Sequence, residues 1–211
     1  MISAEEIRVR CSEGLVFEPV KHRYFVHGVE HVPVTTVVEN SLPENPAKHL
    51  WTERHRRMGQ VIHEVTRLYD EQRLVRESVA PQVEGRLSAW RSFRERHPYR
   101  PIACELPCWS IDGTAGTTDR LCWYDDVLAV LDVKSWLDKT YTALQTAGYA
   151  NLIIERTGLV PLVRIGVGLH DDGTFDFARF DNFVDDNAAW KHAVGLFSWK
   201  LKRGIIRREL A

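Results

Sequence analysis

The sequence predicts a single α/β domain over residues 1–211, in which helices flank a mixed central β-sheet and an N-terminal β meander precedes it. Three observations support this fold class. A chain of 211 residues has the length of one well-packed domain. Alternating or continuous apolar runs, typical of strands, occur between segments with helical spacing of apolar residues. Hydrophobic residues at 44% and charged residues at 27% are ordinary for a globular protein.

The composition and the start of the chain bear on location and partners. No window approaches the roughly 18 unbroken apolar residues that a membrane span needs. The first residues lack the basic and apolar leader of a secretory signal. We therefore expect a cytoplasmic protein with no membrane partner. The net charge of −1 argues against an extended polyanion-binding surface but leaves a local groove open.

The four cysteines argue against a cysteine metal site, because none of them has Cys-x-x-Cys spacing. They are Cys11, Cys104, Cys108 and Cys122. In a strand, Cys104 and Cys108 lie about 13 Å apart, too far to share a metal. We therefore expect ordinary thiols in a reducing compartment.

The first half of the chain combines short strands with two helices. Between residues 15 and 36, runs rich in Val, Phe and Tyr are separated by Gly and Pro, which is typical of a strand meander. Apolar residues at helical spacing then predict a helix over 58–69 and another over 81–96. The buried side of the second helix comprises Val83, Leu87, Trp90 and Phe93.

The helix over 58–69 has one apolar stripe, which excludes His63. The stripe comprises Met58, Val61, Ile62, Val65, Leu68 and Tyr69. At about 100° per residue, His63 shares the opposite side with Gly59, Thr66 and Asp70. His63 is then either a surface histidine or a functional one, since Gly59 one turn earlier lets a phosphate or another backbone approach.

The second half alternates between strands and helices. The predicted strands cover 101–109, 114–123, 127–135, 161–170 and 174–180, and the predicted helices cover 139–156 and 182–202. Alternation in the first strand places Glu105 on the face opposite to Cys104 and Leu106. The unbroken apolar run Val127–Leu131 predicts a central strand that is covered on both faces. The last helix has Trp190, Val194, Phe197 and Trp199 inside and a basic end that includes Arg207 and Arg208.

The strands over 114–123 and 127–135 bring three charged side chains together. In a hairpin that turns at Asp125–Asp126, Asp119 lies directly opposite Asp132. Opposed Cβ atoms are about 4.5 to 5.5 Å apart, and residues two apart share a face, so Lys134 joins the two carboxylates. Carboxylates this close repel unless a cation lies between them, and their oxygens suit Mg²⁺ or Mn²⁺. Alternatively, Asp132 and Lys134 only emerge at the strand edge and pair with each other.

The helix over 139–156 is apolar nearly all round and should be buried. Gln145 and Tyr149 lie at i and i+4 on one face of it. Polar groups on a buried helix need partners. An active-site network or an ordinary structural hydrogen bond would provide them.

These residues resemble the motifs of the PD-(D/E)XK nuclease superfamily, in particular its RecB-like branch of phage and recombination exonucleases. The matching pieces are His63 in Gly-Gln-Val-Ile-His, Asp119 in Gly-Thr-Thr-Asp-Arg, Asp132-Val133-Lys134, and Gln145 with Tyr149 as the QxxxY helix motif. The resemblance implies a restriction-endonuclease-like fold and metal-dependent hydrolysis of DNA phosphodiester bonds. It implies Mg²⁺ or Mn²⁺ as the cofactor.

The resemblance also implies a set of metal ligands. His63, Asp119 and Asp132 take this role, with the carbonyl of Val133 as a further ligand. Glu105, on the preceding strand, is a lesser candidate for contacts to water or metal.

The remaining matched residues act on the substrate. By resemblance, Lys134 positions or activates the attacking water and steadies the phosphate. Gln145 and Tyr149 brace the site and touch the DNA backbone near the scissile phosphate.

The chain also departs from the patterns found in the PD-(D/E)XK superfamily in three ways. Thr118 precedes Asp119, which weakens the literal motif but leaves the carboxylate that binds metal. No cysteine follows Cys122, so the iron–sulfur cluster of some relatives is not expected. The sequence has no Walker-type phosphate loop, so any unwinding motor must be a separate protein.

The resemblance predicts an exonuclease of DNA recombination, repair or phage replication that acts on a duplex end or a single strand. A single-strand annealing or recombination protein and further copies of the chain are its implied partners. Two alternatives stay open: a structure- or site-specific endonuclease, and a non-catalytic DNA-binding subunit that keeps the nuclease fold.

Overall fold

The computed structural model describes residues 2–43 and 52–206 and contains an eight-stranded sheet with helices on both faces. The helices are α1 (Ala4–Ser12), α2 (Val34–Glu39), α3 (Glu53–Asp70), α4 (Pro81–Arg96), α5 (Lys139–Thr157) and α6 (Phe183–Lys202), with a 3-10 turn at Arg76–Ser78. The strands are β1 (Leu15–Glu18), β2 (Arg23–Val26), β3 (Val29–Pro33), β4 (Tyr99–Trp109), β5 (Thr114–Tyr124), β6 (Val127–Lys134), β7 (Val163–Leu169) and β8 (Phe175–Phe180). The predicted fold class is confirmed, although the capped helix α1 is absent from the sequence prediction.

The sheet is mixed, with the order β1-β2-β3-β5-β6-β7-β8, and β4 pairs with β5. The pairs β3–β5 and β6–β7 are parallel, and the other pairs are antiparallel. Strand β6 therefore lies between β5 and β7, which confirms the central strand that its apolar run predicts. The N-terminal meander continues into the main sheet through β3.

The two faces of the sheet belong to separate hydrophobic cores. Leu121 and Val130 pack in the core with α1, α2, α5 and α6. Cys122 and Leu131, their neighbours along β5 and β6, pack in the core with α3 and α4. Among the helices of the described ranges, none combines the length and apolar character that crossing a membrane requires.

The hairpin between β5 and β6 has the predicted register up to Arg120–Leu131, whereas the predicted pair Asp119–Asp132 lies one position beyond this ladder. Asp125 and Asp126 adopt φ of 52° and 57°, as a two-residue type I′ turn requires. The ladder runs from Tyr124–Val127 to Arg120–Leu131. At the start of β5, Ala115 pairs with β3 on the edge that β6 uses further along, because β4 occupies the other edge. The stretch of β5 just before Arg120 therefore borders a gap between β3 and β6.

Two predicted helix faces are wrong in part. In α3 the fully buried residues are Ile62, Thr66 and Asp70, whereas Val61 of the predicted apolar stripe is 42% exposed. The polar residues turn inward because buried partners on other elements bind them. In α6, Trp190 and Phe197 are buried as predicted, but Trp199 is half exposed. Arg207 and Arg208, of the basic end, lie outside the described residues.

The predicted alternation of β4 is also wrong in part. Ala103, Leu106 and Cys108 pack in the α5 core, whereas Cys104 lies near the Asp70–Arg120 ion pair on the other side. The strand has an irregularity between Pro101 and Ala103. Glu105 then adopts a left-handed φ of 46°. These two deviations shift the strict period of two along the strand.

Candidate active site

His63 on α3 lies beside two carboxylates of the sheet. Its Nδ1 atom is 3.3 Å from Oδ1 of Asp119 on β5 and 3.9 Å from Oε1 of Glu105 on β4. Ligand atoms of all three residues lie within 4.8 Å of one another. His63 is half-buried and lies beside two carboxylates, so it is not a solvated surface histidine. Burial disfavours its charge, but Asp119 and Glu105 outweigh this and raise the pKa of His63 to about 10.

Glu105 reaches this group through an unusual backbone conformation. Its neighbours pair with β5 as Cys104–Arg120 and Leu106–Thr118, so Glu105 faces Asp119 across the two strands. A left-handed φ at a non-glycine residue costs free energy and is concentrated at functional sites. The sequence hypothesis gives Glu105 only a lesser role, although a lone carboxylate among apolar strand residues was a visible signal.

Asp119 lies on β5 beside the gap between β3 and β6, and its side chain connects β5 to β6. Its Oδ2 atom accepts a hydrogen bond from the backbone N–H of Val133 at 2.7 Å. Burial opposes ionisation of this carboxyl, but the charge of His63 and the other donors lower its pKa. Asp119 is therefore an ionised, almost fully buried carboxylate with one oxygen directed at His63.

Asp132 and Lys134, on β6, form an ion pair. Lys134 Nζ lies 2.9 Å from Oδ2 of Asp132 and donates a hydrogen bond to Oδ1 at 3.1 Å. The two residues do pair, as the alternative interpretation has it, but Asp132 is buried in a central strand and not at an edge. Burial raises the pKa of Asp132 to about 6, against the attraction of Lys134. Its Oδ2 atom has this ionic contact but no hydrogen bond of suitable geometry from any described residue.

The donor set fits a divalent cation. Two carboxylates and an imidazole converge at His63, Glu105 and Asp119, and oxygen-rich sets of this kind suit hard divalent ions. Among the described residues, the predicted ligand Asp132 is not part of this converging group, but it directly precedes Val133, whose backbone N–H donates to Asp119 Oδ2. Both carboxylate oxygens of Asp132 are engaged by the Lys134 ammonium, so a metal ion bound by Asp132 would share that carboxylate with Lys134.

Gln145 and Tyr149 on α5 lie behind the β5 gap. Gln145 Nε2 donates a hydrogen bond to Tyr149 Oη at 3.0 Å, and both side chains are buried. Within the described ranges, Gln145 Oε1 has no partner. Burial, followed by the charges of Asp132 and Asp119, raises the pKa of Tyr149. A Cβ on Gly116 would come within 2.7 Å of the Tyr149 ring, so glycine at this position of β5 makes room for it.

A buried ion pair lies beneath the site, and the sequence reasoning missed it. The Asp70 side chain, fully buried at the end of α3, accepts hydrogen bonds from four donors. These donors are Trp90 (3.1 Å), Arg94 (3.0 Å), Tyr99 (3.0 Å) and Arg120 (2.7 Å). Only the position of Asp70 two turns after His63, on the same side of the helix, hinted at this role.

Arg120 connects that ion pair to the metal-ligand candidates. Its guanidinium donates to the backbone carbonyl of Asp119 at 2.7 Å and contacts Glu105 Oε1 at 3.4 Å. It also donates to Thr66 Oγ1 at 3.0 Å, one turn after His63 on α3. Arg120 thus holds together the three elements that carry His63, Glu105 and Asp119.

Comparisons with known proteins give weak structural similarity only. LHK-Exo in complex with dAMP has a TM-score of 0.37 and 18% identity over 83% of this chain and 89% of that chain. The alkaline exonuclease LHK-Exo from Laribacter hongkongensis has a TM-score of 0.32 and 14% identity over 83% of this chain and 93% of that chain. No family model matches the chain, and no curated protein matches it. These similarities assign no role to the residues of the candidate active site.

Proposed function

We propose that this protein is a nuclease that hydrolyses DNA phosphodiester bonds with a divalent cation, Mg²⁺ or Mn²⁺, and that it acts as an exonuclease. The observation that carries the proposal is the convergence of His63, Glu105 and Asp119 within 4.8 Å, beside the Asp132–Lys134 pair. The resemblance to PD-(D/E)XK motifs agrees with it, since His63, Asp119, Asp132 and Lys134 are motif residues.

The metal ligands in this proposal are His63, Asp119 and Asp132, with Glu105 and the Val133 carbonyl as further ligands. The cation would polarise the phosphate and lower the pKa of a water molecule. Each proposed oxygen ligand lies on a strand of the sheet, which favours a preorganised site.

The proposed role of Lys134 is to stabilise negative charge on the phosphate and to orient the attacking water. Its ammonium group is held by Asp132, and the charges of Asp132 and Asp119 outweigh burial and raise its pKa. Lys134 is therefore cationic at neutral pH, and a fixed cation beside a reacting phosphate lowers the barrier. Gln145 and Tyr149 would brace the β5 gap and contact the DNA backbone.

The decisive experiment compares end-labelled linear duplex, single-stranded DNA and closed circular DNA, each with Mg²⁺, Mn²⁺ or EDTA. We expect metal-dependent loss of label from linear DNA, none with EDTA, and no cleavage of closed circles. Cleavage of circles would favour the endonuclease alternative. Tight DNA binding without metal-dependent cleavage would favour the non-catalytic subunit.

Variants connect the activity to the site. Asp119→Ala and Lys134→Ala should lose cleavage, whereas Lys191→Ala, which changes an exposed lysine on α6, should not. Wild-type rates in the first two variants would contradict the proposal. An annealing or recombination protein and further copies of this chain are expected partners that mixing experiments can test.

A further inference from the structure

Tyr24, on β2 of the N-terminal meander, extends to the candidate active site. Its hydroxyl lies 3.1 Å from Thr117 Oγ1, two residues before Asp119 on β5. Burial raises the pKa of Tyr24 to about 12, against the Thr117 hydrogen bond and with help from the charges of Glu105 and Asp119. Tyr24 is therefore within electrostatic reach of both carboxylates.

Phe17 and His22 continue from Tyr24 to the surface. Phe17 lies directly opposite Tyr24 in the β1–β2 ladder, with ring centroids 4.7 Å apart. His22 meets both rings edge-on, at 5.2 Å from Phe17 and 5.5 Å from Tyr24. Phe17 is 36% exposed and His22 is exposed, so two of the three rings reach solvent. These three residues form the meander aromatic cluster.

Two further features suit this cluster to nucleic acid. The exposed Lys21 adjoins His22 and supplies a positive charge. His22, in the turn between β1 and β2, has a left-handed φ of 51°, and its ring meets Phe17 edge-on. Proteins that bind single strands combine basic side chains with aromatic rings on which bases stack.

We propose that the meander aromatic cluster stacks on unpaired nucleobases of the DNA strand that enters the active site. This inference rests on the proposed nuclease function and names the form of DNA that the site accepts. Bases within a duplex already stack on each other, so the exposed rings can receive only bases of a single strand or an opened end. The cluster is continuous with the site, because Tyr24 joins it to Thr117 on the strand of Asp119.

The test uses the full-length protein and single-stranded oligonucleotides that contain 2-aminopurine, with EDTA present for binding and Mg²⁺ for cleavage. Phe17→Ala should weaken binding at least about fivefold and raise KM, because stacking on an aromatic ring contributes this much per base. The kcat at saturating DNA should stay close to the wild-type value. Phe17→Tyr should retain binding, and His22→Asn, which tolerates the left-handed conformation, should weaken it.

Two controls separate stacking from other effects. Val16→Ala changes a residue next to Phe17 on the other face of β1, where Val16 is 65% exposed, and should bind normally. Oligonucleotides with abasic positions should bind equally to the wild type and to Phe17→Ala. Circular dichroism confirms that each variant is folded.

The two proposals can fail separately. If the wild type cleaves DNA but Phe17→Ala binds base-containing strands as the wild type does, stacking is refuted and the nuclease function stands. If the wild type binds single strands with quenching of 2-aminopurine but never cleaves, the nuclease function is refuted and stacking is supported. If it does not bind DNA at all, both are refuted.

Discussion

Asp119 Oδ2 accepts a hydrogen bond from the backbone N–H of Val133 at 2.7 Å, just beyond the last ladder pair of β5 and β6. A side chain thus replaces the backbone partner that a continued ladder would provide. The same carboxylate directs its other oxygen at His63, 3.3 Å away. Asp119 therefore stabilises the end of the hairpin and contributes to the candidate metal site.

These two roles can be separated with Asp119→Asn. The amide oxygen still accepts from Val133, so the melting temperature should fall less than in Asp119→Ala, although the attraction to the protonated His63 is lost. The charge is lost, so kcat/KM on linear DNA should fall by a factor on the order of 100 or more, as when one preorganised electrostatic group is removed. Unchanged kcat/KM would show that Asp119 has only the structural role.

Lys134→Met should abolish most cleavage, whereas Lys134→Arg should retain part of it because the charge remains. Burial already raises the pKa of Asp132 to about 6. Without the neighbouring ammonium, that pKa rises further, which favours the protonated carboxyl and weakens Asp132 as a ligand. Rates of single-turnover cleavage for the two variants measure this. Equal cleavage rates for Lys134→Met and the wild type would show that the charge of Lys134 does not contribute to cleavage.

Metal binding discriminates between Glu105 and Asp132 as ligands. Mn²⁺ should raise the melting temperature of the wild type, since a ligand that binds only the folded state stabilises it. Glu105→Gln should lower Mn²⁺ affinity at least about tenfold, because mutating even a residue that only orients a metal ligand lowers metal affinity by at least about this factor. Asp132→Asn is the matched comparison. Calorimetric titration with Mn²⁺ measures the affinity of the wild type and of both variants. If only the Asp132 variant loses affinity, Glu105 is not a ligand.

Asp70→Asn should be the most destabilising single carboxylate substitution in the described part of the chain. It removes the fully buried counter-charge of Arg120 and leaves only Glu105, 3.4 Å away and partly exposed, and breaking a buried ion pair costs about 3–5 kcal/mol. Asp186→Asn is the control, because Arg164 is equally buried but Asp186 is partly exposed to water. Urea unfolding gives both free energies. If both variants lost similar free energy of unfolding, burial of Asp70 would not be what makes its ion pair important.

Two helix glycines should respond in opposite directions to alanine. A Cβ on Gly85 of α4 would overlap the backbone carbonyl oxygen of Asp171, and overpacking of this kind typically costs about 1–3 kcal/mol. A Cβ on Gly59 of α3 meets no atom, so Gly59→Ala should stabilise the helix by up to ~1 kcal/mol. Thermal unfolding of both variants tests this. Stabilisation by Gly85→Ala would mean that α4 does not lie against Asp171 in solution.

Local patterns were sufficient for several elements. The helix over 81–96, with Val83, Leu87, Trp90 and Phe93 buried, agrees with the structure, as does the hairpin register at Asp125–Asp126. The inward face of α3 was predicted wrongly, because hydrophobic spacing assumes that polar residues face water. Thr66 and Asp70 are buried instead, since Arg120, distant in sequence, supplies their partners.

The sequence by itself determined the order of strands and helices from β4 onward and the central position of β6. These features follow from short-range periodicity and turn chemistry. The motif residues His63, Asp119, Asp132 and Lys134 come from the family resemblance, and their roles stay predictions. Only the tertiary structure decided that Glu105 joins His63 and Asp119, through a left-handed residue that alternation does not anticipate. It also decided that the Asp70–Arg120 pair supports the site, because buried charges become stable only when distant elements bring their partners together.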